Sequence, residues 1–471
     1  MGTKSILYLF MDQLRADSLD SPVHAPNLTR LMSESVVFRR CISNSPLCVP
    51  ARASIMTGLL PRTTGVWSNA RAAATSSPSH VRNIRDAGYH TAVIGKTHLW
   101  RTGAGPQAGL HAREMDLVLE AWGFDTRIEV NDPIGTGSQG CAYTDHLEKI
   151  DYLKPHQDYI RAWITEMRSG SPAPWNQVPA PVPEEEDIDS FIGRTAMEWL
   201  ANYDQSKPFY LQVQFTGPHD PYDGPIRYRE MYDLENVPVA LRSIESQSSI
   251  SSIKEATEKQ ISQWRVNYYA NVSLIDEWVG RIVSQLDSVH SLEDCWIVLC
   301  SDHGEMLGDH NRMGKANFYD QSLYVPCFIR PPGGIDALEI HDLIEQIDLT
   351  VSLLDMSQAD PIEDSLGRSL LTYINGSKPQ PKSAVFSELF GRTMVETEEW
   401  KLSFNLAKGE VLSLTSRTDD PHEFVNLAHD SDYELTISEL ISEHIEPLKS
   451  LMDEGLFNQY QEYVRTTGRL N

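Results

Sequence analysis

The chain has 471 residues, 41% of them hydrophobic, and a formal net charge of −26 at pH 7. So acidic a total excludes a general nucleic-acid binder, which needs a basic face to neutralise phosphates, and no apolar run reaches membrane-spanning length. A chain this long can bury a large core, and one large and one small unit are expected.

The six cysteines (Cys41, Cys48, Cys141, Cys295, Cys300 and Cys327) include no C-x-x-C pair, so neither a zinc site nor a redox dithiol is implied. The opening MGTKSILYLFMDQ has one lysine and a short apolar run with no small-residue cleavage site. It reads as a first strand and not a signal peptide, so a cytoplasmic protein with no membrane partner is expected. Ser5 to Met11 is continuously apolar, the mark of a strand covered on both faces of a parallel sheet. Ligands gather beyond the carboxyl ends of such strands, which puts Asp12 where a metal or substrate is met; an Asp here also suits a turn cap.

Ala25 to Val37 has apolar spacing near 3.6 and predicts a helix. The stretch Leu47 to Gly58 (LCVPARASIMTG) reads as a turn feeding a helix, with Cys48 at its N-terminus and Arg52 one turn on. Unpaired N–H groups and the helix dipole favour an anion there; a buried structural cysteine is the plainer alternative. Val81 to Ala87 predicts a helix and Tyr89 to Ile94 a buried strand, closing on Gly95-Lys96-Thr97-His98.

From Thr102 to Pro183, glycines, prolines and the run PAPWNQVPAPVPEEED predict long loops that wall a pocket entrance. Their aromatics (Trp122, Phe124, Tyr143, Tyr152, Tyr159, Trp163 and Trp175) suit either stacking on a ring of the substrate or packing on their own scaffold. Glu184 to Asp187 suits the solvated first turn of a helix over Ile188 to Tyr203. Pro208 to Phe215 predicts a strand that ends in TGPHDPY, aiming His219 at the same edge. Trp264 to Leu286 predicts an amphipathic helix, and Cys295 to Ser301 a strand closing on Asp302-His303. A strand over Ser322 to Ile329, a helix over Ile344 to Leu354 and a linker over Pro361 to Ser377 follow. Ser383 to Leu414 alternates in short strands separated by turns, and helices over Glu434 to Ser450 and from Asn458 end the chain. The expected fold class is α/β: a large mixed, mostly parallel sheet flanked by helices over residues 1–375, then a smaller α+β unit with an antiparallel sheet over 376–471.

CVPARASIMTG resembles the signature of type I sulfatases, C-x-P-[SA]-R followed by a short run ending T-G. GKTHLW, PHDPY and DHGEMLGDH followed by Gly314-Lys315 resemble further motifs of that family in its own order, and Trp400 to Ala428 resembles the C-terminal part of bacterial members. The resemblance implies an alkaline phosphatase-like fold and a sulfuric ester hydrolase acting on a small-molecule or saccharide sulfate ester. It further implies that a formylglycine-generating enzyme oxidises Cys48 to formylglycine, whose hydrate attacks sulfur. One divalent metal is expected on Asp12, Asp302, His303 and residue 48, with Gln13 either lending its amide oxygen or standing behind. Oxygen donors suit Ca²⁺, and the imidazole makes Mn²⁺ the alternative. By the same resemblance Arg52 and Lys96 hold the hydrate and sulfate, His219 and Lys315 serve the leaving oxygen, and His98 takes the proton that releases sulfate. His310 and Asn69 are candidates for substrate contact.

Many members have two adjacent acids after the first strand and Asp-Asn later, where this chain has Asp12-Gln13 and Asp302-His303. These pairs resemble phosphonate monoester hydrolases, relatives with the same nucleophile, in which an asparagine at a position like that of Asn69 lies near the substrate. Phosphonate or phosphodiester hydrolysis is therefore one alternative, and a binding-only relative without turnover another. The sequence leaves homo-oligomerisation open.

Overall fold

The computed structural model describes residues 3–20, 22–100, 110–169, 179–204, 206–242, 253, 255–377 and 379–467. The strands are β1 (Ser5–Asp12), β2 (Val36–Phe38), β3 (Cys41–Ile42), β4 (His90–Gly95), β5 (Thr126–Glu129), β6 (Phe209–Pro218), β7 (Cys295–Ser301), β8 (Tyr324–Val325), β9 (Phe328–Arg330), β10 (Leu338–Ile340), β11 (Ile344–Glu345), β12 (Val385–Leu389), β13 (Arg392–Glu396), β14 (Trp400–Asn405) and β15 (Glu410–Ser416). An eight-stranded sheet runs β10-β2-β9-β7-β1-β6-β4-β5, with a small sheet β11-β3-β8 beside it. β7, β1, β6, β4 and β5 are mutually parallel, whereas β9 runs antiparallel to its neighbours β7 and β2.

β1 sits near the middle, buried from Ile6 to Asp12, because both of its faces are covered by helices. Ile188–Asn202 and the long helix Glu258–Val289 pack together and against β6; a capping box between Thr257 and Gln260 starts the long helix. Five parallel strands thus deliver Asp12, Lys96, the residues after Glu129, His219 and Asp302 to one edge. A mixed, mostly parallel α/β sheet flanked by helices is the architecture expected from the sequence.

Several boundaries differ. The helix expected over Ala25 to Val37 covers only Pro26–Met32; the polar Ser33-Glu34-Ser35 ends it, and Val36–Phe38 is a strand between β9 and β10. Ser322 to Ile329 is not one strand. Pro326, which has no N–H to donate, separates β8 in the small sheet from β9 in the large one. Ile344 and Glu345 pair with β3 before a helix, Gln346–Ser357, begins with a Glu345–Asp348 capping box.

The region expected as loops holds β5 and helices at Asp116–Trp122, Ala142–Lys149 and Leu153–Arg168. Trp122, Phe124, Tyr143 and Trp163 are core residues there, so the scaffold-packing alternative holds for them; Trp175 lies outside the described residues. The four strands β12 to β15 form an antiparallel meander. It has a small core of its own, Val395, Leu402, Phe404 and Leu414 against Leu440 and Ile445, and is tied to the body by the buried Arg62–Glu388 ion pair. Helices at Glu434–Leu440 and Glu454–Thr467 follow, the last packing Phe457 and Tyr460 on Trp67. No helix among the described residues is long and apolar enough to cross a membrane.

Candidate active site

Cys48 begins a wholly buried ten-residue helix, Cys48–Thr57, that ends at Gly58 in the left-handed conformation. Asn69 accepts a hydrogen bond from Val49 N at 3.1 Å, which satisfies one of the helix's unpaired N–H groups and places Asn69 next to the Cys48 turn. Around the thiol, donor atoms of Asp12, Cys48, Asp302 and His303 all lie within 4.8 Å of one another, and all four residues are buried. Cys48 Sγ is 3.2 Å from His303 Nε2 and 4.0 Å from Asp12 Oδ1.

The His303 tautomer follows from its contacts. Nδ1 lies 3.0 Å from the Gly304 carbonyl, which can only accept, so Nδ1 carries the proton and the Nε2 lone pair points at Cys48. That is the arrangement metal-bound histidines take. Two carboxylates, this imidazole and one atom of residue 48 therefore fit a divalent cation.

Arg52 ties the carboxylates together. Its Nε donates to Asp302 Oδ2 at 2.9 Å, Nη2 to Asp12 Oδ2 at 3.0 Å, and Nη1 to Gln214 Oε1 at 2.7 Å and to the Lys96 carbonyl. Lys96 Nζ also donates to Asp12 Oδ2. Burial and the neighbouring thiolate push the Asp12 carboxyl up, but Lys96, His219 and Arg52 outweigh them and hold it well below the usual carboxylate range. The Cys48 thiol is likewise pushed up by burial and drawn well below its ordinary value, chiefly by Lys315 and Lys96. At the cluster, the side-chain cations Arg52, Lys96, Lys315 and His219 thus face Asp12, Asp302 and the Cys48 sulfur, and with residue 48 uncharged the positive surplus suits an anionic guest.

Gln13 bridges the far side, its backbone at a φ of 69°. Its amide oxygen accepts from Lys315 Nζ and its amide nitrogen donates to Glu305. His219 Nδ1 lies 2.8 Å from the Asp220 carbonyl, so this nitrogen is protonated and the other is left for the Cys48 side. Burial and Lys315 lower the His219 pKa, Asp220 and Asp12 raise it more, and it comes to about 9. His98, at a φ of 54°, is held below its ordinary value by burial and by Lys96.

Every residue singled out near Cys48, including Asn69, converges there; His310 packs elsewhere, stacked on Tyr319 at a ring separation of 3.9 Å and tilted against Phe424. Others escaped sequence reasoning. Gln214 orients Arg52 and is the end of a buried polar ladder: Gln214 donates to Gln212, Gln212 to the Tyr210 hydroxyl, and that hydroxyl lies 2.9 Å from His80 Nε2. The signal was available, because Tyr210, Gln212 and Gln214 alternate along PFYLQVQF and so mark one polar face of a buried strand. Glu129, at the end of β5, accepts from Thr97 N at 3.0 Å and supports the loop carrying Lys96 and His98; burial pushes its carboxyl up to about 8. Asp132, just beyond, is pushed up by burial but held below its ordinary value by Lys96, His98 and His219.

Known proteins resemble this chain over most of its length. Residues 4–359 match the model of the sulfatase family, and residues 308–450 match that of the C-terminal region of N-sulphoglucosamine sulphohydrolase. The chain is 30% identical over 453 residues to a choline-sulfatase of Rhizobium meliloti, covering 91% of this chain and 83% of the relative. It is 26% identical to an arylsulfatase of Clostridium perfringens, covering 98% of this chain and 96% of the relative. Among solved structures, a phosphonate monoester hydrolase from Silicibacter pomeroyi superposes with a TM-score of 0.77 at 24% identity, covering 96% of each chain, a likeness of fold. The match over residues 4–359 and the full-length relatives together establish that the chain belongs to the sulfatase family of sulfuric ester hydrolases.

Proposed function

We propose that the protein hydrolyses sulfate monoesters of small alcohols, phenols or saccharides, with formylglycine made from Cys48 as nucleophile and one divalent cation on Asp12, Asp302, His303 and residue 48. The observation that carries this reading is the meeting of those four donors within 4.8 Å, ringed by Arg52, Lys96 and Lys315. Ca²⁺ suits the carboxylates, with Mn²⁺ as the alternative for the imidazole. The hydrated aldehyde would supply two geminal hydroxyls, and the cation Lewis acidity toward an oxygen on sulfur.

The chain's own groups do the rest. Lys96 and Lys315 hold the anionic oxygens of the ester, and Arg52 keeps Asp12 and Asp302 in register beneath them. Gln13, its amide engaged between Lys315 and Glu305, acts by positioning Lys315. His219, protonated up to about pH 9, gives its proton to the departing alkoxide oxygen. His98, kept neutral by burial and Lys96, accepts a proton from the nucleophile's second hydroxyl as sulfate leaves. Buried walls exclude bulk water from the cluster, which strengthens each of these interactions.

Gln13 and His303 at the cluster favour one second reading, phosphonate monoester or phosphodiester hydrolysis with the same nucleophile. A panel of 4-nitrophenyl sulfate, choline sulfate, sulfated saccharides and a phenyl phosphonate monoester separates the two. Sulfate turnover lost in Cys48→Ala supports the proposal; phosphonate turnover above every sulfate ester sinks it.

A further inference from the structure

Beside His219 lies a second concentration of acid. A cavity of about 20 Å³ is bounded by His219, His156, Tyr143, Asp187, Asp189 and Asp223. The hydrogen bonding of its walls shows what it lacks. The Thr136 hydroxyl donates its one proton to the Pro133 carbonyl at 2.5 Å, so toward His156 it can only accept. His156 Nε2, 2.7 Å from that oxygen, therefore carries the imidazole proton. Nδ1 is left as a bare acceptor with no partner among the described residues, on a residue only 4% exposed. Burial holds this imidazole near 4, so it does not take a second proton at neutral pH.

The carboxylates add more acceptors. Asp189 is spent on Thr216 N and Gly217 N at 2.7 and 2.9 Å, and Asp187 accepts from Asp189 N at 2.9 Å. Asp223 is bonded to Tyr159 and faces Arg229, and His219 adds a second positive group to the wall, so among the described residues three carboxyl groups stand against these two cations. Burial pushes all three up, Asp187 to about 6, Asp189 to about 7 and Asp223 to about 8, which a cationic guest would reverse.

A guest must bring donors and positive charge. A metal ion needs a tighter ring of ligands than this: among the described residues, the set of His, Cys, Asp and Glu donor atoms lying within 4.8 Å of one another is the one at Cys48. An ammonium group, whose N–H bonds reach acceptors at about 2.9 Å, spans a wider ring. The space admits one water-sized group, enough for –NH₃⁺ but not for three methyl groups.

We propose that this cavity is an ammonium subsite for the leaving group: the preferred sulfate esters carry a primary ammonium a few bonds from the ester oxygen, bound by His156 Nδ1 and the carboxylates of Asp187 and Asp223. The inference rests on the sulfatase reading and deepens it, since His219 belongs both to this wall and to the Cys48 site. Short amino-alcohol and amino-sugar sulfates are the class that fits.

The test compares 2-aminoethyl hydrogen sulfate, propyl sulfate and choline sulfate by isothermal titration on metal-loaded Cys48→Ala protein, which cannot turn them over, and by initial rate on metal-loaded protein carrying formylglycine. 2-Aminoethyl hydrogen sulfate should bind at least about tenfold tighter than propyl sulfate, the lower range for a charge-assisted bond in a buried site. His156→Phe, which keeps the packing on Tyr143, and Asp223→Asn should each bring that ratio toward one. Equal binding of the two with the cavity unaltered, as when it holds only an ordered water, overturns the proposal; so does a preference that survives His156→Phe, or choline sulfate binding equally well. Should Asp223→Asn fail to fold, the ligand comparison and His156→Phe still decide. Binding decides independently of turnover, whereas failure to hydrolyse any sulfate ester, 4-nitrophenyl sulfate included, counts against the sulfatase reading itself.

Discussion

Replacing Arg52 by lysine keeps a positive charge at the centre of the site and removes only its geometry. The guanidinium reaches Asp302, Asp12, Gln214 and the Lys96 carbonyl at once, from a residue 4% exposed. A lysine presents its donors from a single point and cannot bridge Asp12 and Asp302. At least one buried carboxylate then loses its partner, which costs about 3–5 kcal/mol. Unfolding entropy for a chain of this length is roughly 1 kcal/mol per kelvin, so the melting midpoint should fall by roughly 3–5 °C. Scanning calorimetry on chelator-treated protein at pH 7 measures this without a cation to mask it. A drop below about 1 °C would refute the reasoning, because charge alone would then suffice and the fork would be incidental.

Three further outcomes are expected. His219 has a folded pKa of about 9 against 6.5 for the free group, so its contribution to stability is complete below about pH 6.5 and is lost as the pH rises through 9; the urea-stability gap between wild type and His219→Gln should close over that window, and a gap constant from pH 6 to 10 contradicts the assignment. Glu129 titrates near 8 instead of 4.5, so the wild type should lose stability from about pH 4.5 to 8 while Glu129→Gln does not, and parallel pH profiles would remove burial as the cause. Gly95 and Gly88 both sit at positive φ, yet a Cβ at Gly95 would lie 1.9 Å from the Gln214 carbonyl oxygen and one at Gly88 meets nothing within 4 Å. Gly88→Ala should therefore cost about 1–2 kcal/mol, and Gly95→Ala should cost several more by prising β4 from β6; equal melting points would disprove the close approach.

Much of the site was legible because the residues that matter follow buried apolar runs. Ser5 to Met11, Tyr89 to Ile94, Pro208 to Phe215 and Cys295 to Ser301 are strands in the structure, and Asp12, Lys96, His98, His219, Asp302 and His303 lie beyond or at their ends. Where the sequence misled, periodicity was short or interrupted. Leu153–Arg168 buries only His156, Ile160 and Trp163, a sparse stripe with a proline near its start, so it read as loop. Val36–Phe38 is three residues long and continued the apolar spacing of the helix before it. Gln214 and Glu129 act through other side chains, and their function shows only when β6 and β5 are laid beside the Cys48 helix. His310 lay within the DHGEMLGDH motif, but the turn at its φ of 50° carries it onto Tyr319.

The central claim is that residue 48 is the nucleophile and acts after oxidation. The direct measurement is mass spectrometry of the peptide spanning Cys48, from protein co-expressed with a formylglycine-generating enzyme, paired with hydrolysis of 4-nitrophenyl sulfate by the same sample. The account predicts that sulfur is lost from residue 48, that an aldehyde takes its place, and that turnover scales with the modified fraction. An unmodified thiol in a sample that turns over sulfate, or full conversion with no hydrolysis of any sulfate or phosphonate ester, would contradict it.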